Sequence, residues 1–211
     1  MTDTEFSGPT SEDFKNVSAL NKVFLEVASD LPRHKLQRLA AAPFLLFSLR
    51  ENDDEWWHNA LDDDPQQDLI ATAATASKEI RKLQTAALGF LWQLARRNPY
   101  AARIVSGATV AWCDKLSAQT LVVLLDRVAA RGDLLTSRLE NHQGIWSRLL
   151  GNGSCAEWSV RRSSQLSALH SMLTRTRSVQ YARLPAAACS MPAVDRHVAD
   201  RAQVRQRRKK V

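Results

Sequence analysis

Glycine and proline are scarce in this chain, at 7 each in 211 residues, which disfavours the turn-rich all-β folds. Cysteine is scarcer still. Cys113, Cys155 and Cys189 are odd in number, far apart and without a C-x-x-C, so they read as free thiols of a reducing compartment, most simply as small buried hydrophobes. No long apolar run exists. The longest, Leu39 to Leu49, is 11 residues and contains Pro43 and Ser48, whereas a membrane span needs about 20. The start, Met1-Thr2-Asp3-Thr4-Glu5, is acidic and polar, which argues against a signal peptide beginning here. A cytosolic protein is the expectation.

Signatures of catalysis and cofactor binding are equally thin. The 5 histidines (His34, His58, His142, His170 and His197) have no other His or Cys within four residues, so zinc-ligand spacing is lacking. There is no G-x-S-x-G nucleophile turn, and Gly151-Asn152-Gly153-Ser154 lacks the lysine and preceding strand of a phosphate loop. The run Asp62-Asp63-Asp64-x-x-x-Asp68 superficially resembles the magnesium-binding signature of all-helical prenyl-transfer enzymes. Pro65, however, puts these acids at a helix start, where capping and solvation explain them, and no second Asp-rich motif follows. The expectation is a protein without cofactor or metal that is not an enzyme.

What is present is helix-forming. Apolar residues make up 45% of the chain, with 6 tryptophans, enough for a real core. A helix is expected from Thr10 or Ser11, with Glu12 and Asp13 in its first turn and Val17, Leu20, Val23, Phe24 and Val27 inward. Pro32 opens a second, with Leu36, Leu39 and the run Phe44-Leu45-Leu46-Phe47 as its inward face and Pro43 as its break or kink. An acidic connector over 50–64 leads to a helix capped by Asp64, with Pro65 at its first position and Gln67 completing the box. Its stripe includes Leu69, Ile80, Leu83, Ala87, Phe90 and Leu94, widened by Leu88, Leu91 and Trp92, and Arg96-Arg97-Asn98-Pro99 ends it. Short helices over 99–105 and 108–115 follow. Ser117 is expected to cap the next, Leu121 to near Gly132, and Asp133 to begin another that carries Leu134, Leu135, Leu139, Ile145, Trp146, Leu149 and Leu150 inward. The last helix spans 155–175, with Trp158, Leu166, Leu169 and Leu173. The fold class is therefore all-α: a single multi-helix bundle over 11–180, with a flexible leader at 1–10 and a Pro-punctuated basic tail at 181–211.

Charge is strongly polarised along the chain. Residues 1–70 carry 14 acidic against 6 basic residues, while residues 158–211 carry 12 basic against 2 acidic. The two ends are suited to different surfaces. The terminal cluster Arg205, Arg207, Arg208, Lys209 and Lys210 is the strongest local signal. It reads either as a solvated tail or as a dock for an acidic protein, anionic lipid headgroups or nucleic-acid phosphate. The pair Trp56-Trp57, inside the acidic connector, is the other candidate for partner binding. Folding back onto the core is the preferred reading for it. A helix-turn-helix over 128–139, VAARGDLLTSRL, would put Arg138 on a DNA-reading helix, but an ordinary helical hairpin fits better.

Residues 83–135, LQTAALGFLWQLARRNPYAARIVSGATVAWCDKLSAQTLVVLLDRVAARGDLL, carry a family likeness. Gly89 followed by an apolar turn, Arg103-Ile104-Val105-Ser106-Gly107, and Leu116-x-x-Gln119-Thr120-Leu121 opening a helix resemble the middle of the cytosolic sorting-platform adaptor of type III secretion systems. This is the K-type subunit, with a counterpart in the Hrp-type systems of plant-associated bacteria. The likeness covers about a quarter of the chain. It implies a mostly helical, non-enzymatic adaptor at the cytoplasmic face of the inner membrane, between the inner-membrane ring and the pod protein that organises the export ATPase. It carries over no catalytic residue. The rival reading is a nucleic-acid-associated regulator that uses residues 158–211.

Overall fold

The computed structural model describes residues 8–62, 78–131, 134–138 and 144–181, with side chains as far as residue 174. Two units divide the chain, Met1–Arg177 and Ser178–Val211. Among the described residues the fold is all-α, with nine helices and one two-residue β ladder.

Helix α1 (Ser11–Ala28) begins as a capping box. The Asp13 backbone N–H donates to the Thr10 hydroxyl at 3.3 Å, and the Asp13 carboxylate accepts from the Thr10 backbone N–H at 2.8 Å. Its buried stripe is Val17, Asn21, Phe24 and Leu25. Val23 and Val27, expected inward, lie off that stripe and face solvent. Helix α2 (Arg33–Ala40) follows Pro32, buries Leu36 and Leu39, and stops before Pro43.

The apolar run after Pro43 is the centre of the fold, and it is extended rather than helical. Phe44, Leu45, Leu46, Phe47 and Leu49 are all buried, on both sides of the chain. Backbone buried this deeply must find hydrogen-bond partners from elsewhere. Leu45 N–H donates to the Val105 carbonyl at 2.9 Å, and Leu46 N–H to Asn21 Oδ1 at 2.9 Å. The Asn21 amide donates to the Phe44 carbonyl at 2.8 Å. The run ends in β1 (Phe47–Ser48), which pairs antiparallel with β2 (Thr136–Ser137), Phe47 opposite Ser137.

The acidic connector is in part a helix, α3 (Asp54–Asp62), whose first turn is capped by Asp53 accepting from Trp56 N–H at 3.0 Å. The expected cap at Asp64–Pro65 and Leu69 lie outside the described residues. Helix α4 (Lys78–Arg97) buries Leu83, Ala87, Leu88, Leu91 and Leu94 and packs on α1. Asn98 ends it and starts α5 (Pro99–Ser106), its side chain accepting from the N–H groups of Tyr100 and Ala101. Helix α6 (Val110–Ala118) is capped by Thr109. Ser117 does not cap the next helix: it sits in the last turn of α6 and donates to the Asp114 carbonyl. Thr120 takes that place for α7 (Leu121–Arg131), which packs on α3 and α4.

The helix expected from Asp133 is likewise not found over 134–138, which is extended and includes β2. Helix α8 (Ile145–Asn152) takes in Gly151, and α9 (Trp158–Tyr181) follows the turn at Gly153–Ser154. Aromatic side chains close the core. Trp57 meets Trp112 edge-on at 5.3 Å between centroids, Phe24 meets Phe47 at 5.2 Å, and Phe44 meets Trp146 at 6.2 Å.

Candidate functional site

The most unusual arrangement in the core is ionic. Arg138 and Glu51 are both buried and form an ion pair. The arginine Nε donates to the Phe47 carbonyl at 2.8 Å, and its Nη2 donates to Glu51 and to the Ser106 carbonyl. The second Glu51 oxygen accepts from the Ser48 hydroxyl at 2.5 Å and from Leu49 N–H at 2.8 Å. Each charge is thus matched by internal partners, as a buried pair requires. A cavity of about 200 Å³ opens beside them, lined also by Asn52, Trp146, Ala168 and Met172. The chemistry of this cluster is structural: it fastens β1, β2 and the end of α5 together.

This geometry corrects the helical hairpin preferred for 128–139 as well as its helix-turn-helix alternative. Residues 134–138 do not form a second helix, and Arg138 points into the protein. Glu51 was hidden among the exposed acids of its neighbourhood, and no local spacing marks it out.

The tryptophan pair divides. Trp57 is 2% exposed, with its indole N–H donating to the carbonyls of Leu49 and Arg50 at 3.2 and 3.0 Å, so it is a core residue and offers no surface to a partner. Trp56 is half-buried and stacks edge-on against Trp57 at 5.1 Å. Arg205, Arg207, Arg208, Lys209 and Lys210 lie outside the described residues, as do Cys189, His142, His197 and the carboxylates of Asp62, Asp63, Asp64 and Asp68.

Cys113 is fully buried. Burial pushes its thiol up to about 12, with the neighbouring Asp114 charge acting in the same direction. Among the described residues no group of three His, Cys, Asp or Glu side chains is arranged to hold a metal, and no helix is long and apolar enough to cross a membrane.

The surface features that remain are apolar side chains left in water. Helix α7 exposes Val122 at 70% beside Val123, and α9 exposes Trp158 at 60% and Leu166 at 50%. Trp158 and Leu166 are two of the four large apolar residues that the sequence marks on this helix. The buried side of α9 is instead Ala168 and Met172. Compared with models of protein families, with curated proteins and with solved structures, the chain matches none.

Proposed function

We propose that this chain is a non-enzymatic adaptor that works through protein–protein contacts, of the sorting-platform kind found at the cytoplasmic face of type III secretion machines. The observation that carries the reading is on α7. That helix belongs to residues 83–135, whose sequence resembles the K-type subunit. It packs Leu124 and Val128 inward while presenting Val122, 70% exposed, with Val123 beside it. Stiff apolar side chains on a helix anchored by two neighbours suit a partner surface, because little side-chain freedom is lost when they are covered. In the same segment the Cys113 thiol, buried and raised to about 12, is unsuited to nucleophilic work at neutral pH. The partners on this reading are the inner-membrane ring and the pod protein. The acidic front of the chain would meet a basic surface, and the basic back an acidic one.

The test is reconstitution. The full chain is mixed, after nuclease treatment, with the purified cytosolic domain of a ring protein and with a pod protein from an Hrp-type system. The expected result is a stable complex with at least one of them, lost with Val122→Asp while circular dichroism is unchanged. Absence of any complex overturns the reading. Co-purifying nucleic acid that nuclease strips away, with no protein complex left behind, would point to the regulator instead.

A further inference from the structure

We infer that the outward face of α9 docks on an anionic lipid surface. The inference goes beyond the adaptor reading and uses a different helix. Trp158 and Leu166, eight residues apart on α9, are 60% and 50% exposed. Between them stands Arg162, whose guanidinium lies 5.0 Å from the centre of the Trp158 ring. No Asp or Glu occurs between Glu157 and Asp195, so α9 itself carries no carboxylate that would repel an anion; the exposed Glu157 stands just before its first residue. On the α8 side of this face, Arg148, Asn152, Ser163 and Ser167 line an open groove of about 430 Å³, large enough for a phosphate-bearing headgroup.

Three physical arguments favour a bilayer over other anionic partners. Tryptophan is the side chain best suited to the headgroup boundary, and an arginine next to it keeps its charge at the phosphates while its stem stays apolar. Nucleic-acid phosphate would satisfy the arginines but leave Leu166 in water, whereas a bilayer takes both. The apolar patch is also small against the ~800 Å² per partner of an ordinary protein interface, but it suffices for reversible membrane attachment when basic charge adds to it. In sequence, α9 itself holds Arg161, Arg162, Arg175 and Arg177 and no acidic residue. Each basic group near an anionic leaflet contributes about 1 kcal/mol.

The experiment is vesicle co-sedimentation of the full chain. One set of vesicles is phosphatidylcholine alone, the other phosphatidylcholine with phosphatidylglycerol. Binding to the second set only is expected, weakening as salt rises. Trp158→Ala and Leu166→Ala should each lower the affinity roughly tenfold, in line with the loss of one buried apolar side chain. Brominated lipid should quench tryptophan fluorescence in the native chain and much less in Trp158→Phe. Both positions are exposed, so the fold survives the changes, and circular dichroism checks this. Three results would overturn the inference: no binding at low salt, binding indifferent to both substitutions, or Trp158→Ala weakening binding to single-stranded RNA but not to vesicles. No protein partner is present in the assay, so its failure leaves the α7 reading standing.

Discussion

Arg138 and Glu51 stand 87 positions apart in the chain and meet as a buried ion pair that also captures the Ser106 carbonyl. The pair adds a side-chain clamp to segments already joined by the β1–β2 ladder and by the Leu45 N–H to Val105 carbonyl bond. Removing one partner leaves the other charge buried and alone, which costs about 3–5 kcal/mol. Arg138→Met and Glu51→Met should each destabilise the protein by that amount in urea unfolding. The double variant should cost much less than the sum of the two, because no charge is left behind. Additive losses would show that the two side chains do not act as a pair.

Gly107 and Gly89 make a matched test of backbone and space. Gly107 ends α5 at φ +72°, in the left-handed region, and a Cβ there would lie 2.5 Å from Met172 Cγ and 2.8 Å from its Sδ. Gly107→Ala should lose about 1–2 kcal/mol from the backbone alone and more from the clash. Met172→Ala in the same chain should recover only the part due to the clash. Gly89 sits inside α4 with nothing within 4 Å of its would-be Cβ. Gly89→Ala should therefore stabilise by about 0.5–1 kcal/mol. Thermal unfolding of both variants reads the two signs directly.

Local chemistry was legible where it was local. Thr10 or Ser11 with Glu12 and Asp13 in the first turn marked the start of α1, though not which of the two caps it, and Arg96-Arg97-Asn98-Pro99 marked the end of α4 and the start of α5, because caps act within a turn. The all-α class followed from composition and period. The extended run from Phe44 to Phe47 was not legible: a short apolar stretch has no period, and its backbone partners come from Asn21 and Val105 far away in sequence. Leu134 and Leu135 read as helical for the same reason, yet they lead directly into Thr136–Ser137, which pairs with β1. The fold-back of the Trp56-Trp57 pair onto the core was the preferred sequence reading and holds for Trp57, but the reach of its indole to the Leu49 carbonyl is a three-dimensional fact. Burial of Arg138 could not be read from sequence because its counter-charge, Glu51, lies 87 positions away, outside any local window.

Asn21 is the polar residue on which the extended run depends. It is completely buried, with its amide donating to the Phe44 carbonyl and its carbonyl oxygen accepting from Leu46 N–H. Asn21→Ala leaves a buried N–H and a buried C=O without that partner, each at about 1–3 kcal/mol. Asn21→Leu should be no better, since added apolar volume cannot replace two directional bonds. A loss above about 2 kcal/mol for both is expected, together with faster amide exchange at Leu46. A near-neutral Asn21→Leu would mean that the bonds contribute little.

Asp13 couples the start of α1 to acid stability. Burial raises its pKa, but hydrogen bonds from the Thr10 backbone N–H and hydroxyl, with Arg97 at 2.5 Å, outweigh that and hold it below the ordinary 3.8. A carboxylate with a depressed folded pKa stabilises above its unfolded value, and the contribution fades as pH falls through the folded one. Arg97 is 58% exposed, so solvent screens its share. The cap itself contributes about 1 kcal/mol. Asp13→Asn should therefore cost about 1 kcal/mol at neutral pH. The gap between variant and native chain should then close as the solution is acidified from 3.8 downward. A gap independent of pH would assign the effect to packing.

Cys113 supplies a check on the core that needs no substitution. Its thiol is buried against the packed helices and raised to about 12 by desolvation first and the Asp114 charge second. The reactive thiolate is then nearly absent at neutral pH, and access is closed as well. Cys155 is partly exposed. With iodoacetamide at mildly alkaline pH, peptide mass spectrometry should find Cys155 modified early in the native chain and Cys113 modified only after urea is added. Cys113→Ser should cost about 1–3 kcal/mol, because a hydroxyl there enters an apolar site without an assigned partner, whereas Cys113→Ala should cost less. Rapid native labelling of Cys113 would mean that α6 opens readily from α4 and α5, and the core described around it would be wrong.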